Sequence, residues 1–364
     1  MKSIILGFIC LACLVPAIYG QDKDSANYNG AKEIIKDLSR IVNSNGVQEN
    51  YEVTIGGIKQ WVYVRGQDRA NPMILFVHGG PASPLSPQMW IFQRPVEEYF
   101  TVVNYDQRAS GKTYLANDTS GLGNTIHIDQ YVNDAIELAE YIEKKYKKKK
   151  LILMAHSWGT IISMKAALKR PDLFYAYVGI GQVISTIDNE RLSYDYAAKQ
   201  ATLQKNDTAL AELKTIFPYP GNKPITRERI IIARKWPQYY GGLTAFRHES
   251  FYLFNAPLLS PEYTLEDADA INKGSLFTLG RILPEFLAVD FKSIKKFPIP
   301  VFMFMGRHDY TTPAAPTDTW LKNVTAPVKK GIWFENSSHL IPWEEPGKLL
   351  ISLVTYVRPV ATNK

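Results

Sequence analysis

The chain of 364 residues is predicted to be an α/β protein, with a mostly parallel sheet flanked by helices and an inserted, mainly helical cap domain. Two observations predict this architecture. Short apolar runs alternate with helical patterns from residue 73 to residue 185, and strands that alternate with helices form parallel sheets. From residue 186 to residue 290 the alternation stops and helical stretches rich in Tyr, Phe and Trp replace it, until strands resume near Pro300.

Each element has its own signal. Gly56-Gly57 lies between two strand-like runs and predicts a hairpin at the start of the sheet. The later strands are short apolar runs, and the helices have apolar residues three or four positions apart. The predicted strands are 51–55, 60–64, 73–77, 101–105, 151–155, 176–180, 300–305 and 330–335, and the predicted helices are 31–42, 88–99, a stretch that begins at Ile128, and 160–169.

The N-terminus has the pattern of a signal peptide. A charged start precedes an apolar run, residues 4–18, that is too short to span a bilayer, and the small residues Ala17 and Gly20 lie before the polar Gln21, with cleavage predicted after Gly20. We therefore predict export to the periplasm or the cell exterior, with no stable membrane insertion after cleavage. A lipoprotein anchored through Cys13 is the alternative. Both cysteines lie in this segment, so no disulfide is expected in the mature chain.

The chain thus divides into four predicted segments. The signal peptide covers residues 1–20 and the first part of the α/β core covers 21–185. The helical cap covers 186–290, and the second part of the core covers 291–364. A chain of this length with 46% hydrophobic residues is able to bury a large core.

The formal net charge of +7 and the pI near 9.0 raise the question of an acidic partner. The dense basic run, residues 144–150, closes an amphipathic helix, where cations favour the negative end of the helix dipole. No basic stripe with interleaved aromatics accompanies it, so we predict no nucleic-acid partner. No His or carboxylate pair has metal-ligand spacing, and Gly111-Lys112-Thr113 lacks the preceding glycine of a phosphate loop. We predict no metal and no cofactor, and the sequence leaves the oligomeric state open.

A strand-to-helix turn around a serine is the most informative motif. Residues 154–160 read Met-Ala-His-Ser-Trp-Gly-Thr, between an apolar strand and a helix. Such a turn exposes the serine to a base and to backbone donors, and it is the nucleophile elbow of α/β-hydrolases. Ser157 is therefore the candidate nucleophile, with the small residues that a tight turn needs at Ala155 and Gly159. Taken alone, the motif is equally compatible with an ordinary strand-to-helix turn.

The other members of a catalytic triad occur in the expected order. In α/β-hydrolases the chain order is serine, then an acid, then histidine. Asp309 follows the strand 300–305, and His339 follows the next predicted strand. Asp309 is thus the candidate acid, in preference to Glu335 or Asp290, and His339 is the candidate base.

Two backbone N–H groups are the candidate oxyanion donors. Gly80 lies in a glycine-rich loop after the strand 73–77, and Trp158 follows the serine directly. In this mechanism Ser157 attacks a carbonyl carbon, His339 takes its proton and Asp309 orients the imidazole, and water then resolves the acyl-enzyme. A serine at the elbow disfavours halide displacement and epoxide opening, which use an aspartate there.

At these motifs the chain resembles the proline iminopeptidases and related α/β-hydrolases, over roughly residues 51–358. The resemblance implies an aminopeptidase that releases an N-terminal residue, often proline, from small peptides. Ala82 and Ala109 stand where the family commonly has glycine. The cap segment 236–240 also lacks the glutamate of the family's Trp-x-x-Trp-Glu motif, which helps to hold the substrate's amino terminus. The matching motifs are His78-Gly79-Gly80-Pro81-Ala82, Tyr105-Asp106-Gln107-Arg108-Ala109-Ser110-Gly111-Lys112, His156-Ser157-Trp158-Gly159-Thr160, Gly306-Arg307-His308-Asp309 and Ser338-His339.

Three functions stay open, and all of them predict a small-molecule or short-peptide partner. An exopeptidase needs a cap carboxylate to pair with the substrate ammonium, because an unpaired buried ammonium costs several kcal/mol. Glu249 and Glu262, each among aromatic residues, are the candidates. A carboxylesterase or amidase acting on small or medium acyl substrates needs only the triad and an apolar pocket. A binding module that retains the hydrolase fold is disfavoured, since every triad member is present.

Five further polar residues are assigned structural roles. Asp106 and Arg108 are predicted to form a salt-bridged loop, and His78 is predicted to support the oxyanion loop. His156 and His308 adjoin the triad members and are predicted to be bystanders whose side chains point away from the serine.

Overall fold

Within residues 25–221 and 223–362, which the computed structural model describes, eight strands form one mixed sheet. The strands are β1 (Val47–Ile55), β2 (Ile58–Gly66), β3 (Met73–Val77), β4 (Thr101–Tyr105), β5 (Leu151–His156), β6 (Phe174–Ile180), β7 (Val301–Gly306) and β8 (Lys329–Phe334). Their order across the sheet is β1-β2-β4-β3-β5-β6-β7-β8. The β1–β2 and β2–β4 pairs are antiparallel, and every other pair is parallel. All strands predicted from the sequence are present, so the predicted fold class is confirmed.

Helices cover the sheet and form the insertion between β6 and β7. Those before β6 are α1 (Ser25–Leu38), α2 (Met89–Phe92), α3 (Gly111–Leu115), α4 (Thr119–Leu122), α5 (Ile128–Tyr146) and α6 (Trp158–Lys169). The cap contains α7 (Thr186–Leu203), α8 (Asp207–Thr215), α9 (Arg227–Pro237), α10 (Phe251–Asn255) and α11 (Leu265–Leu287). The last four are α12 (Ala314–Asn323), α13 (Ile341–Glu344), α14 (Pro346–Ser352) and α15 (Arg358–Thr362).

Both faces of the sheet are buried, and this explains the near-continuous apolar strands. Successive side chains of a strand point to opposite faces. On β5, Leu153 joins the core cluster that contains α5 and α6, whereas Ile152 and Met154 join the cluster on the other face, with α14. Because the strands from β3 to β7 are parallel, their carboxyl ends meet at one edge, where loops carry functional residues in open α/β sheets.

Two predicted helices differ from the structure. The helix predicted over 88–99 is broken: α2 ends at Phe92 and a 3₁₀ turn covers Val96–Glu98. Pro95 lies between them, and proline lacks the N–H that a continuing helix requires. The helix predicted over 31–42 begins earlier and ends at Leu38, and its apolar face is not packed on the sheet, since Leu38 is 59% exposed.

The cap has a core of its own. Tyr194, Tyr219, Trp236 and Tyr240 cluster with small residues of α7 and α8, as expected if most cap aromatics serve the cap's own packing. No helix in the described part of the chain is long and apolar enough to cross a membrane. The predicted signal peptide, including both cysteines, lies outside the described residues.

Candidate active site

Ser157 lies at the sharp turn between β5 and α6. Its backbone has φ 54° and ψ −124°, outside the regions that ordinary residues prefer, and its N–H donates to the Ile180 carbonyl at 2.9 Å. Gly159 allows α6 to begin this close to β3. A Cβ on Gly159 would lie 2.2 Å from the Val77 oxygen, so a side chain here would push the helix away from the strand. The turn therefore has the strained form that presents a serine.

The structure brings Asp309 and His339 together. The Asp309 Oδ2 atom lies 2.9 Å from Nδ1 of His339, and both side chains are buried. Oδ1 of Asp309 accepts from the N–H groups of Thr311 at 2.9 Å and Thr312 at 2.8 Å, and these bonds fix the carboxylate's orientation. Nε2 of His339 is buried with no hydrogen-bond partner among the described residues. A buried nitrogen without a hydrogen bond destabilises the fold, so its retention here suits a nitrogen that receives a proton during a reaction.

Neither alternative acid reaches the imidazole. Glu335 forms an exposed bidentate pair with Arg307, with both N–O distances at 2.8 Å. Asp290 forms an isolated bridge with Ser185 at the base of the cap. Thr312 contacts both Asp309 and His339, which the sequence did not indicate. Its hydroxyl donates to Asp309 at 3.0 Å and lies 3.1 Å from Nδ1 of His339.

The candidate oxyanion loop is held by hydrogen bonds within the core. Nε2 of His78 accepts from the Gln107 N–H at 3.1 Å, so Nδ1 carries the proton and donates to the Gly79 carbonyl at 2.9 Å. Burial lowers the pKa of His78 to about 3, and the ring is neutral. His78 thus has the supporting position predicted for it. The loop then passes Gly80 at φ 118° and Ala82 at φ 58°.

Gln107 connects this loop to the elbow. Its amide nitrogen donates to the His78 carbonyl at 2.7 Å, and its amide oxygen accepts from the Trp158 indole at 3.2 Å. Trp158 is the first residue of α6, so its backbone N–H has no acceptor within the helix. Buried Gln107 therefore connects the segment that contains Gly80 to the segment that contains Trp158. The sequence did not indicate this role of Gln107, although Gln107 lies in the family motif at residues 105–112.

Two alanines that stand where the family commonly has glycine adopt a backbone conformation that favours glycine. Ala82 has φ 58° and Ala109 has φ 59°, in the left-handed region that glycine adopts freely. A left-handed alanine costs roughly 1–2 kcal/mol. Both residues are completely buried, and the surrounding packing must therefore hold them in this conformation.

His156 contacts the base loop, and the sequence did not indicate this contact. Its Nε2 atom lies 2.9 Å from the His339 carbonyl, and the two rings are 4.7 Å apart. Burial, followed by the effect of His339, lowers the pKa of His156 to about 3. The ring is therefore neutral, and Nε2–H donates to that carbonyl. His308, in contrast, lies at the surface with Nε2 3.2 Å from the Glu335 carbonyl.

Arg108 forms the predicted ion pair, but with a different acid. Its guanidinium bonds both oxygens of Asp134 at 3.0 Å, and both side chains are buried. Asp106 instead accepts from the Ser86 hydroxyl at 2.9 Å, the Lys112 N–H at 2.9 Å and the Tyr263 hydroxyl of the cap. Burial raises the pKa of Asp106 to about 7, although these hydrogen bonds and the charge of Lys112 act to lower it.

The structure does not bring Glu262 or Glu249 to the triad. The Glu262 carboxylate accepts from the Asn50 side chain on β1 at 2.9 Å. β1 is four strands from β5 in the sheet, which corresponds to roughly 19 Å at the usual spacing. Glu249 is exposed on the loop before α10. Neither carboxylate hydrogen-bonds a triad residue within the described part of the chain, so both assignments stay predictions.

One buried carboxylate of the cap, Glu190, is already neutralised. Glu190 is fully buried, pairs with the Arg234 guanidinium and accepts from the Tyr219 hydroxyl at 2.5 Å. Arg234 also donates to the Thr311 carbonyl at 2.7 Å. Within the described ranges, no group of three His, Cys, Asp or Glu side chains is arranged to hold a metal ion.

Comparisons with known proteins identify the family of the chain. A family model for the alpha/beta hydrolase fold matches residues 72–223. The chain is 30% identical over 313 residues to the probable aminopeptidase YbaC of Bacillus subtilis (strain 168), covering 84% of this chain and 95% of that protein. It is 22% identical to a proline iminopeptidase of Saccharolobus solfataricus, over 87% of this chain and 94% of the relative.

A solved structure supports the same fold. The crystal structure of a Mycobacterium smegmatis proline iminopeptidase has a TM-score of 0.59 and 17% identity, and the match covers 86% of this chain and 99% of that chain. The match with the Bacillus protein covers 84% of this chain and 95% of that protein, and the eight-stranded sheet with its helical insertion has the predicted architecture. The chain therefore belongs to the α/β-hydrolase family and is a proline iminopeptidase-like hydrolase.

Proposed function

We propose that this protein is a serine hydrolase whose nucleophile is Ser157, with His339 as the base and Asp309 as the acid. The observation that carries the proposal is the state of the His339 imidazole. Nδ1 bonds a buried carboxylate at 2.9 Å, whereas Nε2 is buried without a partner among the described residues. A base oriented on one nitrogen and available on the other is what serine activation requires.

The reaction then follows from the arrangement of these groups. Ser157 adds to the substrate carbonyl as Nε2 of His339 accepts its proton, and Asp309 stabilises the imidazolium that forms. The N–H groups of Gly80 and Trp158 receive the oxyanion, and each donor of this kind contributes about 3 kcal/mol in the transition state. The imidazolium returns its proton to the leaving group, and water hydrolyses the acyl-enzyme by the same route.

For the substrate, we propose short peptides with a free amino terminus, from which the enzyme releases the first residue. The Bacillus relative is named a probable aminopeptidase, and the Saccharolobus relative is named a proline iminopeptidase. Both matches extend over more than four fifths of this chain, so the cap is included in the similarity.

One observation favours a second candidate, a carboxylesterase or amidase that acts on small or medium acyl groups. An aminopeptidase must neutralise the substrate ammonium where the cap shields it from water. Glu262 lies at the sheet edge, Glu249 is exposed, and Glu190 is already paired with Arg234. A neutral acyl substrate needs none of these carboxylates.

Matched substrates separate the two candidates. Prolyl and alanyl p-nitroanilides are compared with their N-acetylated forms, and p-nitrophenyl acetate and butyrate report on simple ester hydrolysis. Faster turnover of the free amines supports the aminopeptidase. Turnover of the esters and the N-acetylated anilides, without turnover of the free amines, assigns the esterase or amidase instead. If no substrate is turned over and Ser157 fails to react with a fluorophosphonate, the serine hydrolase proposal is wrong.

We also propose that the enzyme is exported and acts without a metal, cofactor or nucleic-acid partner. The N-terminal pattern of residues 1–20 supports export, with a lipoprotein anchored through Cys13 as the alternative. Mass spectrometry of the protein recovered from the periplasm or medium identifies the first residue. A mature N-terminus at Gln21 supports cleavage after Gly20, whereas a lipid-modified Cys13 supports the alternative.

A further inference from the structure

Residues 242–245 of the cap, hereafter the clasp, contact the loops that carry both Asp309 and His339. On the acid side, the Gly242 carbonyl accepts from the Tyr310 N–H at 3.1 Å and from the N–H and hydroxyl of Thr311, both at 3.0 Å. The same Thr311 N–H donates to Oδ1 of Asp309 at 2.9 Å. The clasp thus bonds the two residues that follow the acid.

On the base side, the contacts begin at the base itself. The Leu243 carbonyl accepts from the His339 N–H at 3.2 Å. The Ala245 N–H donates to one oxygen of Glu344 at 2.6 Å, and the other oxygen of that carboxylate accepts from the Ser338 N–H at 2.8 Å. Glu344 therefore joins the clasp to the residue before the base.

The clasp is packed too tightly to act as a loose lid. Leu243 is 2% exposed and forms an apolar cluster with Leu253 and Leu340. A Cβ on Gly242 would lie 2.8 Å from Cβ of Tyr310 and 2.7 Å from the Pro237 carbonyl oxygen. No side chain fits at Gly242 unless the clasp and the acid loop move apart.

We propose that the clasp is a positioning element, which fixes the acid loop and the base loop relative to each other. The two loops follow different strands, β7 and β8, and the Asp309–His339 bond requires both to be in place. The core joins the loops through the Ser338 hydroxyl, which donates to the His308 carbonyl at 2.8 Å. The clasp adds bonds at His339 itself and directly after Asp309. Attachment of the cap is thereby coupled to general-base catalysis.

The proposal rests on the triad assigned above, and the variant Gly242→Ala tests it. The added methyl group separates the clasp from the acid loop, so we expect kcat to fall about 10- to 100-fold, as for a displacement on the order of 1 Å. We expect KM to stay within about twofold and the acid limb of the pH profile of kcat/KM to move to lower pH, because a displaced Asp309 stabilises the imidazolium less.

Gly280→Ala is the matched control, since a Cβ on Gly280 of α11 meets no atom within 4 Å. This variant should retain the activity of the unmodified enzyme. Glu344→Gln is the second test: it keeps the size of the side chain but replaces one acceptor by a donor, and we expect it to lower kcat several-fold. If Gly242→Ala does not fold, Glu344→Gln alone decides the proposal by the same criteria.

The rate at which a fluorophosphonate labels Ser157 distinguishes a failure of the clasp proposal from a failure of the triad proposal. Labelling requires the serine and the base but no particular acyl group. Slower labelling of Gly242→Ala, together with no labelling of Ser157→Ala, supports both the clasp and the triad. Unchanged kcat and labelling in a Gly242→Ala variant whose melting temperature is lowered would overturn the clasp and leave the triad intact. A loss confined to KM would also overturn it. Activity retained in Ser157→Ala would overturn the triad itself.

Discussion

The two halves of the candidate site are supported in different ways. The candidate nucleophile and the candidate oxyanion loop are held by core residues: Gln107 bonds the His78 carbonyl at 2.7 Å and the Trp158 indole at 3.2 Å. The acid and base loops are held partly by the cap, through Gly242 and Leu243. A displacement of the cap should therefore weaken proton transfer before it disturbs the serine or the oxyanion donors.

His156 lies between the two halves. It precedes Ser157 directly, and its ring donates to the His339 carbonyl at 2.9 Å. Because burial and His339 lower its pKa to about 3, this contact does not change over the pH range in which hydrolases act. The link between the halves is thus neutral across this pH range.

The largest effect on hydrolysis is expected from a substitution of Ser157, the candidate nucleophile, on which both halves of the site act. Ser157→Ala removes the nucleophile, and we expect hydrolysis to fall by about 10⁴- to 10⁶-fold, since triad members act as a unit. Steady-state kinetics with the best substrate measure the loss, and a thermal melt shows that the variant is folded. Near-normal activity in a folded Ser157→Ala protein would remove Ser157 from the mechanism.

A smaller effect is expected in the core-held half. Gln107→Ala leaves the Gly80 loop and the Trp158 turn without their shared partner, so the two oxyanion donors lose their alignment. We expect kcat to fall about 10- to 100-fold, below the full loss of a donor, with little change in KM. Gln204→Ala, at the exposed end of α7, is the control. An unchanged kcat would show that the loop holds its position without Gln107.

The cap-held half is tested by an isosteric change at Thr312. Thr312→Val removes the hydroxyl that donates to Asp309 at 3.0 Å, while the backbone N–H that bonds the same carboxylate remains. One neutral hydrogen bond contributes about 1 kcal/mol, so we expect kcat/KM to fall several-fold. The comparison with Gln107→Ala is informative: a greater loss for Thr312→Val would mean that orientation of the acid, rather than oxyanion alignment, limits the rate.

The sequence indicated the candidate site residues themselves better than the contacts that hold them in place. Gly159 and the triad residues are encoded by local patterns, namely a strand that ends at a small residue and a loop that follows it. The cap contacts have no such pattern. Gly242 and Glu344 contact the triad loops only because the chain returns across them, far along the sequence from the residues they bond.

The same contrast appears in the buried charges. The sequence indicated a salt-bridged loop at Arg108, and the structure has one, yet its partner is Asp134 on α5 rather than Asp106. Helix α5 follows the loop by about twenty residues, and its register against the sheet decides which carboxylate meets the guanidinium. Asp106 is left with neutral partners, which only the folded chain reveals.

A pH-dependent effect on stability is expected at Asp106, where core and cap meet. Burial raises the pKa of Asp106 from 3.8 to about 7, so the native state holds a proton that the unfolded chain releases. The contribution of Asp106 to stability is therefore present below about pH 4 and is lost as the pH rises to about 7, and the loss is on the order of 4 kcal/mol at most.

Asp106→Asn removes this titration and still fits the site. Its amide oxygen is able to accept from the Lys112 N–H and the Tyr263 hydroxyl, and its NH₂ is able to donate to the Ser86 hydroxyl. Urea unfolding from pH 4 to pH 8 should show the variant gaining stability relative to the unmodified protein as the pH rises. Parallel curves would mean that Asp106 is ionised throughout this range.

The smallest effects are expected for the two acids that the sequence placed in the pocket. Glu262 bonds Asn50 on β1, roughly 19 Å from β5 at the usual strand spacing, and Glu249 is exposed to solvent, which screens its charge. We expect Glu249→Gln and Glu262→Gln to change KM by less than about twofold for substrates with a free amino terminus and for neutral esters alike. The KM values of prolyl p-nitroanilide and p-nitrophenyl butyrate measure this for each variant. A rise in KM that is confined to the free amine would show that the cap brings that glutamate to the substrate during turnover, and the ammonium would then have a partner that the present arrangement of the cap does not provide.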